Sequence, residues 1–307
     1  MQSILSPAGA DAARIAGLWW YFLVICTLVF IAVIAATARA LTVRREVTEE
    51  GEVAKVKVVA GSTGITVVIL ITILFASVAV GRATVSGEDA PLTVEVIGHQ
   101  WWWEVRYLDP SPHRMVTTAN EVHLPVGRRV RFVLRSSDVI HSFWIPNLAG
   151  KIDMFPDRDN TLWIEPSRTG IFRGQCAEFC GMQHGKMAFV AVVHEPAEFE
   201  AWLERERAPA APPADPLAQR GHDIFMGTTC ATCHRVRGTE AHATFGPDLT
   251  HLASRRTLAA GTMPNDRGRL MAWLVDPQRT KPGSLMPPTH LDAESLQALV
   301  HYLEGLH

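Results

Sequence analysis

Gln175-Cys176-Ala177-Glu178-Phe179-Cys180-Gly181-Met182-Gln183-His184-Gly185-Lys186-Met187 packs soft metal donors into one short loop. Two thiols stand four residues apart, an imidazole follows four residues on, and a thioether comes three after that. Thiolate, thioether and imidazole together suit copper. A single cysteine would suggest a mononuclear site. Two in one tight loop can bridge two copper ions, and each ion then needs a terminal ligand. His184 and Met187 supply two of these, and the missing imidazole is expected from another loop. His141, in Ser137-Asp138-Val139-Ile140-His141-Ser142-Phe143, sits just after a predicted strand and is the candidate. A Cys176–Cys180 disulfide and a Cys2His2 zinc site using His141 and His184 compete with this reading. Neither gives Met187 a role.

Around this loop the chain reads as β-structure. From Leu92 to about Val193, short alternating runs are broken by Gly, Pro, Asn and Asp. Thr93–Ile97, Glu121–Leu124, Arg129–Leu134, Thr161–Ile164 and Ala188–Val193 are the clearest. Such spacing predicts an antiparallel β-sandwich or barrel. A short helix is expected over Pro196–Arg207, and then the Pro/Ala linker Ala208–Pro216. Fully extended, that linker spans roughly 28 Å. From Leu217 the pattern is helical, ending on Asp292–Leu303, which has an acidic start and an apolar stripe at helical spacing.

Upstream, the chain carries no charge between Arg14 and Arg39, nor between Lys57 and Arg82. The runs Ile15–Ala38 and Val58–Gly81 are each about 24 residues, and about 20 cross a bilayer core. Trp19, Trp20 and Tyr21 stand where an interfacial aromatic belt would lie. A signal peptide plus a buried helix is the competing reading, but the first run is too long for a signal core. Arg39, Arg44, Arg45, Lys55 and Lys57 lie between the runs, against Arg14 and Arg82 outside them. Positive-inside logic puts that loop in the cytoplasm and both termini outside. Cys26 then lies in the bilayer as a small apolar residue.

Composition bounds the rest. A length of 307 residues suggests about two domains. The mean hydropathy of +0.09 excludes a polytopic membrane protein, and the net charge of −2 argues against a nucleic-acid binder. Five cysteines are too few for a disulfide-dense scaffold.

Cys230-Ala231-Thr232-Cys233-His234 is a C-x-x-C-H pattern, the signature of covalent c-type haem attachment with the histidine as axial ligand. A redox C-x-x-C or half a zinc site competes, yet no cysteine follows Cys233. The other axial ligand is expected to be a sulfur from a distant loop. Met286, in Lys281-Pro282-Gly283-Ser284-Leu285-Met286-Pro287-Pro288, is preferred over Met263. Phe245-Gly246-Pro247-Asp248-Leu249 is expected against the histidine side, and Gly221 and Phe225 against Tyr302. His113, His123, His194, His222, His242, His251, His290, His301 and His307 read as surface or packing residues.

The copper loop resembles that of subunit II of the haem–copper cytochrome c oxidases. Gly98-His99-Gln100-Trp101-Trp102-Trp103-Glu104 is similar to that family's aromatic motif, and His141-Ser142-Phe143-Trp144-Ile145-Pro146 to its first copper-histidine segment. The resemblance covers about residues 10–200. A second one, to cytochrome c domains, covers about residues 217–307. Together they resemble subunit II of a caa-type oxidase. They imply a multidomain membrane protein: a two-helix transmembrane hairpin within 1–90, a cupredoxin-like β-sandwich over 91–200, a helix end and linker over 201–216, and an all-α cytochrome c domain over 217–307. The implied ligands of the dinuclear copper centre (CuA) are His141, Cys176, the Glu178 carbonyl, Cys180, His184 and Met187. The Glu178 side chain would help hold a magnesium or manganese ion against subunit I. Cys230, Cys233, His234 and Met286 would hold haem c. Trp101 matches the residue through which electrons enter, whereas Trp102 and Trp103 read as packing. Glu49, Glu50 and Glu52 do not match the family's proton-pathway acid and read as a solvated cluster. The implied function is to pass electrons from a cytochrome c or a cytochrome bc complex, through haem c and copper, to subunit I. Oxygen would be reduced there with proton translocation, in a bacterial inner membrane and beside subunit III. A copper-containing nitric oxide reductase, or a copper assembly factor or redox sensor, are the other functions compatible with these residues.

Overall fold

The computed structural model describes residues 2–43, 49–85 and 90–307. Arg44 and Arg45 lie outside the described residues, as do the side chains of Glu49, Glu50 and Glu52. The chain divides into two compact units, Ala13–Gly87, and Met1–Ala12 together with Glu88–His307.

The first unit is made of two long apolar helices, α1 (Ala10–Thr42) and α2 (Glu49–Val85). Both are long and apolar enough to cross a membrane, and none of the apolar windows is buried within the protein. Phe30 and Phe75 stand 66% and 69% exposed, the outward apolar surface that lipid covers. Both helices extend beyond the uncharged runs, because Ala-, Lys- and Glu-rich flanks continue the helix into the polar zone.

The second unit begins with a β-sandwich. Its strands are β1 (Leu92–His99), β2 (Trp102–Leu108), β3 (Val116–Ala119), β4 (Glu121–Pro125) and β5 (Val130–Ser136). They continue as β6 (His141–Trp144), β7 (Ile152–Met154), β8 (Asn160–Ile164), β9 (Gly170–Cys176) and β10 (Ala188–His194). One sheet has the order β3-β2-β1-β5-β8 and the other β4-β10-β9-β6-β7. The expected all-antiparallel pairing is corrected here: β1 pairs parallel with β5, and β4 parallel with β10. Residue alternation is the same in both arrangements, so the sequence carries no mark of the difference. Trp103, Phe132, Phe143 and Phe189 fill the centre, with Phe143 stacked on Phe189 at 4.7 Å. Burial of rings of this size dominates core energetics.

Helix α3 (Pro196–Arg207) closes one end, burying Phe199, Trp202 and Leu203. The N-terminal residues pack here too. Ala8 N–H donates to Asn147 O at 2.6 Å, and the Asn147 amide donates to Ser6 O at 2.8 Å.

The C-terminal part is helical: α4 (Pro216–Gly227), α5 (Cys230–Cys233), a small hairpin of β11 (Thr257–Leu258) and β12 (Met263–Pro264), then α6 (Arg267–Val275), α7 (Pro277–Thr280) and α8 (Ala293–Glu304). Asp215, Asp266 and Asp292 each cap a helix by accepting a backbone N–H, worth about 1 kcal/mol apiece. Gly221 lets α4 and α8 touch: a Cβ there would lie 2.0 Å from Ala298 O. The linker is not a free extended spacer. Ala210 N–H donates to Arg237 O at 2.9 Å, and His251 Nε2 pairs with Ala208 O at 3.1 Å.

Candidate metal centres

The loop from Ala177 to Met187 joins the antiparallel pair β9–β10, so both of its ends are fixed. Cys176 is the last residue of β9, and its N–H donates to Met187 O at 2.9 Å across the loop mouth. His141 opens β6, which pairs with β9, so the distant imidazole arrives beside Cys176.

The six expected donors converge. Cys176 Sγ lies 3.7 Å from Cys180 Sγ, 3.9 Å from His141 Nδ1 and 3.2 Å from Glu178 O. Cys180 Sγ lies 3.7 Å from His184 Nδ1 and 3.8 Å from Met187 Sδ. Donors about 2.0–2.3 Å from a shared first-row ion, at tetrahedral angles, stand about 3.3–3.8 Å apart. The spacing therefore fits metal, and it is far too long for a disulfide, whose sulfurs sit about 2.05 Å apart. His141, Cys176 and Cys180 are fully buried.

The environment orients the donors. Asp138 Oδ1 sits 2.8 Å from His141 Nε2, which leaves Nδ1 facing the thiols. This is the carboxylate support usual behind a metal-bound histidine. Burial works against the Asp138 charge, but His141 and the N–H groups of Val139 and Gln100 outweigh it and hold the carboxyl below its ordinary range. Burial likewise opposes the His141 charge, and Asp138 and Cys176 override it. Cys180, followed by His141, holds the Cys176 thiol down to about 3, while Cys176 pushes Cys180 up. Trp101 Nε1 donates to Cys180 O at 3.0 Å, and Gln100 Nε2 donates to the same oxygen at 2.8 Å. Trp103 is buried against the His141 ring at 6.1 Å, and Trp102 stacks on His99 at 4.2 Å. The Glu178 carboxylate is 44% exposed and pairs with Lys151 at 3.7 Å.

In the C-terminal part, Cys230 and Cys233 bracket the one turn of α5, and His234 follows. His234 Nδ1 donates to Pro247 O at 2.8 Å, which leaves Nε2 as the ligating nitrogen. Burial pushes its imidazole below the ordinary value, so the neutral ligand form is favoured. Gly246 is required there, since a Cβ would lie 2.6 Å from His234 Cε1. Arg255 is buried, and its Nε has no hydrogen-bond partner among the described residues, so a carboxylate-bearing group would complete it. Phe245 and Leu285, neighbours of Gly246 and Met286, are 85% and 88% exposed, which suits an apolar macrocycle lying over them. Met286 and Met263 both pack partly buried against the helical core.

Sequence reasoning missed Asp138 and Arg255. An acid three residues before a candidate ligand histidine was the available signal for the first. It also read His123 and His194 as bland, whereas they form a hydrogen-bonded pair at 2.8 Å beside buried Glu121.

Residues 106–194 match the family described as cytochrome c oxidase subunit II, periplasmic domain, and residues 218–307 match the cytochrome c family. The chain is 38% identical over 219 residues to a cytochrome c oxidase subunit 2 of Alkalihalophilus pseudofirmus, covering 71% of this chain and 62% of the relative. It is 34% identical over 229 residues to the subunit 2 of Bacillus subtilis, covering 71% and 63%. The chain thus spans less than two thirds of these relatives' length. It is also similar to the crystal structure of the periplasmic domain of subunit II of cytochrome oxidase of Bradyrhizobium japonicum, at 32% identity, 39% of this chain, 96% of that chain and a TM-score of 0.37.

Proposed function

We propose that this chain, which matches the periplasmic domain of cytochrome c oxidase subunit II over residues 106–194 and cytochrome c over residues 218–307, is a subunit II that receives electrons for a membrane-bound haem–copper oxidase. The observation that carries this reading is the convergence of two thiols, two imidazoles, a thioether and a carbonyl around Cys176 and Cys180. When bound, two copper ions and one haem c supply a one-electron relay from a cytochrome c or cytochrome bc donor to subunit I, where oxygen is reduced with proton translocation.

The chain's own residues do the holding. His141, Cys176, the Glu178 carbonyl, Cys180, His184 and Met187 would hold copper, and Asp138 fixes which His141 nitrogen would face it. Cys230 and Cys233 would hold haem c by thioether bonds, and His234 and Met286 would supply a nitrogen and a sulfur donor to its iron. The Trp101 indole, bonded to Cys180 O, links the surface of the sandwich to a ligand cysteine. The strand ends and the loop between them bury both thiols and so keep water from them. One edge of the sandwich bears on subunit I. The half-exposed Glu178 carboxylate is available for a shared magnesium or manganese ion at subunit I. Subunit III is a further membrane neighbour.

The bonds from Asn147 to Ser6 and from Ala8 to Asn147 O support a two-pass topology with the N-terminus on the same side as the sandwich. In a bacterial inner membrane that side is the periplasm. The test is spectroscopic. Purified, copper-loaded protein is expected to give the electron-resonance signal of a mixed-valence copper pair, and its absence defeats the reading. His184→Ala is expected to abolish electron delivery to subunit I while haem c stays reducible. Undiminished oxygen consumption by that variant would remove His184 from the copper set.

A further inference from the structure

The segment from Thr280 to Gly283, just before Met286, is where the helical part meets the sandwich. Three side-chain hydrogen bonds cross between the two at this point. Lys186 Nζ donates to Thr280 O at 2.5 Å, Gln183 Nε2 to Pro282 O at 2.6 Å, and Lys281 Nζ to Trp101 O at 2.5 Å. Lys281 is only 3% exposed, and no carboxylate pairs with it among the described residues. A lysine this deeply buried is rare without such a partner. Its second acceptor is Ala259 O at 3.3 Å, in the helical part.

Ala259 belongs to an unusual turn. Ala259, Ala260 and Gly261 all have positive φ, at 52°, 57° and 70°. Residues with a Cβ rarely adopt this conformation. The turn is seated on the copper side, with Ala188 N–H donating to Ala260 O at 3.0 Å, one residue past Met187. On the other flank, a Cβ on Gly283 would lie 3.2 Å from Met182 Sδ and 3.7 Å from the Trp101 ring. One lysine side chain therefore ties together the Trp101 backbone, the strained turn on Ala188 and the loop that leads to Met286.

We propose that Lys281 is a positioning residue for electron transfer between the two cofactors, holding the Met286 loop against Trp101 in one fixed geometry. The proposal rests on the roles given above to Trp101, Met286 and the copper loop. The step it serves moves one electron: ferrous haem c is oxidised to ferric, and the copper pair is reduced by one. Lys281 neither carries the electron nor touches a ligand atom. It sets the separation and contact across which the electron passes, and the chain's own loop occupies that face of Trp101.

The experiment uses the full oxidase complex, with haem c flash-reduced and copper reduction followed optically. Lys281→Met keeps the side-chain length and removes the donors. It is expected to slow transfer by about tenfold or more, as small misplacements of reacting groups do. The axial-ligand spectrum of haem c and the mixed-valence copper signal should stay as in wild type. Amide hydrogen exchange over residues 257–262 and 280–284 should accelerate. Lys281→Gln, which can still donate one bond, should fall between the two. Wild-type transfer in Lys281→Met overturns the proposal, and so does slowed transfer with unchanged exchange. If Lys281→Met does not assemble, Lys186→Ala removes only the exposed bond to Thr280 O. Faster exchange over 280–284 with slower transfer is then expected, and no change in either overturns the proposal. A wild-type complex with no haem-to-copper transfer would instead defeat the preceding reading, and the exchange data would still decide the part played by Lys281.

Discussion

Asp138 decides which nitrogen of His141 faces the two thiols. Its Oδ1 takes Nε2, and its other oxygen accepts Gln100 N–H at 2.7 Å, so the carboxylate is itself held. Asp138→Asn can place an amide N–H against Nε2 and turn the tautomer the wrong way. We expect copper affinity to fall about 10- to 100-fold, the usual cost of losing such support. Competition of the purified chain against a copper chelator measures it, and unchanged affinity would mean that burial alone orients His141. At this scale the sequence was informative about donors and silent about their supports. Cys176, Cys180, His184 and Met187 declare themselves by residue type and spacing. Asp138 and Arg255 have ordinary types, and their roles exist only once β6 and the 248–257 segment have folded around them.

At the scale of elements, strands were legible from alternation and helices from stripe and cap, but pairing partners were not. The parallel pair β4–β10 brings His123 and His194 together from positions 71 residues apart. His123 stacks flat on Trp202 of α3 at 4.0 Å. Burial first, and the His123 charge second, push the His194 imidazole down to about 4, with Arg256 and Arg205 adding and Glu198 opposing. An unfolded histidine titrates near 6.5, so between about 4 and 6.5 the unfolded chain binds a proton that the folded chain does not. Stability therefore rises with pH across that window and is lost as pH falls through it, levelling below about 4. Between pH 7 and pH 4.5 the expected loss is on the order of 2 kcal/mol, since the ring is partly solvated and pH 4.5 stops short of the end of the window. Urea midpoints of the detergent-purified chain at pH 7 and at pH 4.5 measure it. His194→Gln should remove most of the difference, and an equal drop in that variant would assign the acid lability to other groups.

Across the whole molecule, the docking of the helical part on the sandwich is what no residue pattern announced. The acceptors at that junction are the backbone oxygens of Trp101, Ala260, Thr280 and Pro282, and any sequence supplies those. The linker's length leaves a docked and a wandering domain both open, and a wandering one would be confined at an effective concentration of order mM. The pinned linker and the junction describe a docked domain instead, and the two arrangements differ in their response to linker length. Lengthening the nine-residue linker about threefold with Gly/Ser lowers the effective concentration of a wandering domain about fivefold, by its −3/2 power dependence on length. A docked domain should hold its transfer rate within about twofold, since the junction and not the tether sets the geometry. Loosening the junction at Lys281 brings part of the dependence back, so the long linker should slow transfer more in Lys281→Met than in wild type. Flash-reduction of haem c in the four combinations of linker and residue 281 measures the coupling directly. A rate that tracks linker length equally with and without Lys281 would return the molecule to a tethered search.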